Sequence, residues 1–460
     1  MTPMKLSRSL PMLDVPRRFY VDATGGNDAN SGRSASAAWQ TIAQVNNYTG
    51  FISGDRILFK RGETWTGTGL VVPHNGLHFG AYGSGALPII DGSRLINNVF
   101  DTNGKHGLFI EAIHAKSGIA FGFAINNSHD VIMNGLEASD CGNDNVIFTT
   151  NSFDCRLTSL VSHDNYNGGS GGILSLLEIK DGCHDIEVIS PTLYGSIDTG
   201  LNIIAHSPLQ GDCMPYNLTI RDPEIYDCAL FGLRVSKQNT DVDTDRNILI
   251  DGASIYGATQ EGIRINESAT AAALVGVTIT NALVDLDGAI NQYPVQVWGT
   301  ASFQNCVFAG SYPSRVDTKG DATFWNCVFY RTASSVLQVR NTWVGVIMRN
   351  CIVHTTGTTI IDFQTTTGTA DLDYNLYYCQ GGNPVTGTYY EWGAAVYNWA
   401  DWLTNTGQDP NSPTPANPTF TNPAGGDFTL QAGSPAIDAG VDVGLPYLGV
   451  APDCGYAEKI

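Results

Sequence analysis

Four charged residues in this chain come closest to a pattern that does chemistry: Glu178, Lys180, Arg234 and Arg264. They occupy alternate positions of the short apolar runs LEIK, LRVS and IRIN, and Asn202 holds the matching position of LNII. A lysine or arginine can take a proton from a carbon acid once burial or a neighbouring cation lowers its pKa. Two arginines one repeat apart repel each other unless an anion lies near, so the pattern asks for an acidic ligand. Paired carboxylates offer a second machinery. Glu178 with Asp198, or Asp198 with Asp227, would supply a proton donor and a base or nucleophile, which cleavage of a glycosidic bond needs at about 5 to 9.5 Å. Taken singly, each of these residues also fits a solvated strand face or a turn; it is the clustering that singles them out.

The binding candidates surround this group. Asn202 and Arg264 extend the same row, and Tyr194, Tyr226 and Tyr256 form another, in which rings either stack on sugar faces or simply brace a sheet. The insertion SHDNYNGGSGG (Ser162 to Gly172) carries His163 and Asp164 ahead of a glycine-rich run that lets backbone approach a ligand closely. Asp227 and Glu261 occupy equivalent loops, and Asp140, Asn143 and Asp144 a turn one repeat earlier. The run DVDTD (Asp241, Asp243, Asp245) alternates like a calcium loop but lacks its glycine and terminal glutamate, so it reads as a solvated loop. His129-Asp130 and His184-Asp185 precede equivalent runs and read as turn residues. No phosphate-binding loop, GxSxG or HExxH occurs.

What positions these residues is an internal repeat. NLTIRDPEIYDCALFGLRVSK (Asn217 to Lys237) recurs as NILIDGASIYGATQEGIRINE (Asn247 to Glu267) and, more weakly, as DIEVISPTLYGSIDTGLNIIA (Asp185 to Ala205). Later, QNCVF, WNCVF and RNCIV begin at Gln304, Trp325 and Arg349. Repeats of 20 to 35 residues, built of short strands with no amphipathic helix between them, exclude βαβ units and predict stacked coils of strands around one continuous core. Alternation then gives an outward column Ile147, Glu178, Asn202, Arg234, Arg264, Gln296, Gln338 and a neighbouring one Thr149, Lys180, Ile204, Ser236, Asn266, Trp298, Arg340. Outward positions add little to a core, so their loss is expected to spare folding. Asn305, Asn326 and Asn350 should stack as a ladder, with Cys306, Cys327 and Cys351 reduced and inward.

Composition narrows the function classes. The 460 residues carry 24 Lys and Arg against 44 Asp and Glu, a formal charge of -20 that argues against nucleic-acid binding. No apolar run is long enough to span a bilayer as a helix, and Met1 to Arg18 lacks the apolar stretch of a secretory signal. Ten cysteines without CxxC spacing read as buried thiols rather than metal ligands.

The segments FYVDATGGNDANSG, WQTIAQVN, GDRILFKRGETWTG and FGAYGSGALPIIDGS (Phe19 to Ser93), with FTLQAGSPAIDAG and PDCGYAE near the end, resemble the opening and closing segments of right-handed parallel β-helix proteins of the pectate-lyase-like superfamily. The resemblance implies an all-β solenoid: an extended arm over 1–18, a cap and first coils over 19–95, the main helix over 96–380 and a loop-rich closing segment over 381–460. It also implies a polysaccharide partner, many such folds acting on uronic-acid polymers. Three functions follow as expectations: a phage tailspike depolymerase, trimeric and joined to other virion proteins through its N-terminal arm; an exported bacterial polysaccharide lyase without its leader; or a non-catalytic virion or surface fibre with a glycan-binding face. No cofactor is required, and calcium enters only under the lyase reading.

Overall fold

A computed structural model describes residues 15–459 except 169–173, 206–212, 237–244, 267–273, 287–292, 318–320, 332–335 and 341–343. Residues 1–14 of the N-terminal arm and most of the DVDTD run, Asp241 and Asp243 included, therefore lie outside the described residues. The chain winds as a parallel β-helix. Among the described residues three sheets hold 14, 13 and 14 strands, here A, B and C, each strand hydrogen-bonded to its equivalent in the coils before and after. An antiparallel pairing joins Tyr390–Trp392 to Ala395–Tyr397 and ends sheet C.

Alternation does the building. In sheet A one inward column runs through Ile110, Met133, Leu157, Val188, Ile220, Ile250, Ile279, Phe303 and Phe324 in unbroken register. All of these side chains are buried in one core that runs the length of the coil. Many bends from sheet A to sheet B carry a left-handed non-glycine residue, among them Ser159, Ser190 and Asp222 in earlier coils and Asn281, Asn305, Asn326 and Asn350 later, with φ between 48° and 57°. Asparagine tolerates that conformation better than most side chains. Its amide then bonds along the axis: Asn305 to Asn281 at 3.2 Å, Asn326 to Asn305 at 3.3 Å and Asn350 to Asn326 at 3.0 Å. Cys306, Cys327 and Cys351 follow as free, buried, inward thiols, as expected.

The corner from sheet B to sheet C explains the repeat glycines. A Cβ on Gly200, Gly232 or Gly262 would come within 2.4 Å of the Ile225, Ile255 or Val284 side chain of the next coil. Both open ends of the coil are closed. Helix α1 (Ile42–Asn47), whose N-cap Thr41 accepts from Gln44 N, joins Trp39, Tyr48 and Phe51 over Phe19 at the first coil. Helix α2 (Trp399–Thr406) lies in the segment expected to be loop-rich. Its buried Trp402 packs on Tyr390 and donates from Nε1 to Asp409 at 3.0 Å. The remaining tail folds back along the side of the helix, where Phe420, Phe428, Leu430, Ala436 and Cys454 bury the outer residues Val307, Val328, Ile352 and Leu376 of sheet B.

Candidate functional site

Sheet C carries the expected row. Ile147, Glu178, Asn202, Arg234, Arg264 and Gln296 stand in consecutive register on its outer side, about 4.8 Å apart. The strand Ser314–Asp317 then places Arg315 between Gln296 and Gln338, a coil that the sequence alignment skipped. Asp362 and Glu391 continue the row to its end.

The N-terminal half of this row faces away from the core yet is closed to solvent. Glu178 is 3% exposed and Asn202 0%. Glu178 Oε1 pairs with Lys180 Nζ at 2.8 Å, and Oε2 accepts from Asn202 Nδ2 at 2.8 Å. Asp144, fully buried, accepts from the Ser175 backbone N–H at 2.9 Å; burial and then the nearby Glu178 push its carboxyl well above the usual range. Two expectations are corrected here. Removing Glu178 cannot spare folding, because it would strand a buried ammonium and amide. Nor does Lys180 fit the role of a base: burial pulls its pKa down, but Glu178, through charge and hydrogen bond, outweighs that and leaves it raised.

The next coils are more open. Asp198 accepts from Thr199 Oγ1 at 2.8 Å and from Leu174 N at 3.4 Å, and burial raises its pKa against the pull of those bonds and of Arg234. Burial, then Arg264, lowers that of Arg234, which donates to Ser236 Oγ at 3.3 Å. Arg264 pairs with Glu261 at 3.1 Å and lies 5.0 Å from the Phe231 ring and 5.6 Å from that of Trp298. Arg234 Nε, Arg264 Nε, Trp298 Nε1 and Asn202 Oδ1 are all buried without a hydrogen-bond partner. Three donors and one acceptor thus stand open along four consecutive coils, a set that a chain of acidic sugars can satisfy.

The aromatic row lies elsewhere. Tyr194, Tyr226 and Tyr256 end strands of sheet B, and so does His163, which belongs to the strand Val161–His163 and not to a loop over the sheet C row. Their rings stack on one another at 4.9 to 5.0 Å and within 6° of parallel. Each inner ring thereby spends both faces on its neighbours and shows solvent its edge and hydroxyl, which leaves no face for a pyranose. Asp164 (φ 48°) and Asp227 (φ 54°) are left-handed bend residues beside this ladder. His129 and His184 likewise open strands of sheet A and join a stack through His106, Phe153 and Tyr216. Sequence reasoning gave no role to Phe231 or Arg315, and it placed Asp144 in a turn beside the site and Trp298 in the neighbouring column without assigning chemistry to either. The alternation that found Arg234 also carried a signal for Trp298, three residues past Val295. Among the described residues no group of three or more His, Cys, Asp or Glu could hold a metal ion.

No protein-family profile and no curated protein matches the sequence. Solved structures do. A mutant of the tailspike protein of E. coli bacteriophage HK620, in complex with a pentasaccharide, superposes with a TM-score of 0.53 at 10% identity, covering 78% of this chain and 77% of that one. Another mutant of that tailspike, in complex with a hexasaccharide, gives 0.50 at 10% identity over 74% of this chain and 66% of that one. Pectate lyase Pel9A gives 0.47 at 16% identity over 97% of each chain. The chain has the parallel β-helix fold of the tailspike. At such identities the likeness concerns fold alone, and the chemistry rests on this chain's own residues.

Proposed function

We propose that the protein binds and cleaves an acidic surface or capsular polysaccharide along the outer face of sheet C, as a depolymerase of the phage-tailspike kind. The observation that carries this reading is the set of open donors on Arg234, Arg264 and Trp298 in successive coils, next to the raised carboxyl of Asp198. A uronate carboxylate seated against Arg234 and Arg264 relieves their mutual repulsion. Asp198 then gives its proton to the departing glycosidic oxygen; water adds to the oxocarbenium-like carbon and returns a proton to Asp198, while Glu178, paired with Lys180, holds Asn202 in place beneath the row. This favours hydrolysis over elimination, since Lys180 is engaged in an ion pair. The reading extends to a homotrimer outside the cell or on a virion. Among the described residues no helix is long and apolar enough to cross a membrane.

The test is a panel of capsular and uronic polysaccharides, followed by reducing-end release beside the absorbance of unsaturated products. Reducing ends without absorbance support the hydrolase; absorbance with cleavage replaces it with a lyase. Binding without cleavage replaces it with a fibre.

A further inference from the structure

Sheet B carries a second constellation, away from the sheet C row. The strands His114–Lys116, Glu137–Ser139 and Val161–His163 pair in register, Glu137 opposite His114 and Ser139 between Lys116 and His163. Ala115 and Ala138 point into the core, so His114, Lys116, Glu137, Ser139 and His163 share the outer face. There Ser139 Oγ lies 2.8 Å from His114 Nε2, and His114 Nδ1 lies 3.4 Å from Glu137 Oε1. Glu137 Oε1 also meets His163 Nε2 at 3.4 Å, and His163 Nδ1 meets Asp164 at 2.8 Å. Hydroxyl to Nε2 and Nδ1 to carboxylate is the connectivity that activates a serine, and it is recognised by geometry and not by order along the chain.

We propose that Ser139, His114 and Glu137 form a nucleophilic site that hydrolyses small O-acyl esters. That the ester is carried on a sugar rests on the function proposed above; the ester chemistry itself does not. Ser139 Oγ attacks the acyl carbon as its proton passes to His114 Nε2, and Glu137 holds the imidazolium that forms. His114 returns the proton to the departing alkoxide, which leaves as the alcohol with the acyl group on Ser139. Water then adds, losing its proton to His114, and the acid departs as Ser139 regains its hydrogen. Burial lowers the pKa of His114, with Glu137 opposing and His163 and Lys116 assisting, so the ring is neutral and able to accept a proton near pH 7. The amide after Ser139 is engaged, Asp140 N donating to Asp164 O, which leaves the Lys116 ammonium, in register beside Ser139, to face the oxyanion. Ser139 is 5% and His114 9% exposed, whereas the flanking Glu137 side chain is 33% open, which limits entry to a small acyl group such as acetyl.

The experiment needs no polysaccharide. The full chain is incubated with p-nitrophenyl acetate, and separately with a fluorophosphonate whose adduct is located by mass spectrometry. Turnover above buffer, a single adduct on Ser139 and a loss of at least about 100-fold in both Ser139→Ala and His114→Gln would support the site. Glu137→Gln should lower kcat with little change in KM. No turnover, an adduct elsewhere, or full activity in folded Ser139→Ala overturns it, whatever the outcome with polysaccharides.

Discussion

Asn202 Nδ2 donates to Glu178 Oε2 at 2.8 Å across one coil step, and that bond fixes which way the amide points. With its nitrogen committed to Glu178, Asn202 presents its carbonyl oxygen to the row, buried and unpartnered. Glu178 is in turn held by Lys180. The ion pair therefore orients a buried, unpaired acceptor of the row.

Glu178→Ala should cost about 3–5 kcal/mol of stability, because it leaves the Lys180 charge unpaired in a nearly closed site. Glu178→Gln, which keeps the shape, should cost less. Denaturant titration of the two variants checks the order, and equal midpoints with the unmodified chain would contradict it.

Asp198→Asn separates catalysis from folding. Depolymerisation should fall by at least about 100-fold with the loss of the proton donor. Stability near pH 7 should hold or rise. A carboxyl whose folded pKa is raised contributes its stability below the unfolded value and loses it as pH climbs through the folded one, so at neutral pH the asparagine removes a cost. By the same sign, activity should decline as pH rises through the raised pKa of Asp198.

His354 links sheet B to the folded-back tail. It is 6% exposed, touches the rings of Tyr330, Tyr378 and Phe420, and has no partner on either nitrogen. Burial lowers its pKa from 6.5 to about 4. The docked tail thus prefers the neutral ring: its stability is complete above pH 6.5 and falls by about 3 kcal/mol as pH drops toward 4. Hydrogen exchange in the strands Phe420–Asn422 and Asp427–Leu430 should accelerate over that window, and His354→Phe should flatten the response.

Asn326→Ala should lose about 2 kcal/mol, from the left-handed backbone at φ 53° and from the amide bonds to Asn305 and Asn350. Asn326→Gly should recover the backbone part only. Denaturation midpoints in the order asparagine, glycine, alanine check this.

Much of this architecture was legible because a solenoid repeats its local rules. The repeated segments set the register of Asn202, Arg234 and Arg264, the alternation of the run LEIK added Glu178, and the NC(V/I) contexts placed Asn326 and Cys327. Alternation gives the side of a strand, however, not its exposure, and so it missed the burial of Glu178 and Asn202 through mutual contact. The coil holding Arg315 escaped because Pro313 and Arg315 interrupt the apolar pattern. Ser139 and His114 are 25 residues apart and meet only through the coil step. No spacing within a single strand announces them.

The claim that an acidic group is seated by Arg234 and Arg264 is tested most directly by titration calorimetry with a uronic-acid oligosaccharide that the protein binds and with its carboxyl-reduced, neutral counterpart. The acidic ligand should bind at least about tenfold more tightly, a difference of about 1.4 kcal/mol, and Arg264→Ala should erase the preference. Equal affinity for the two ligands, or a preference that survives loss of both arginines, would contradict the account.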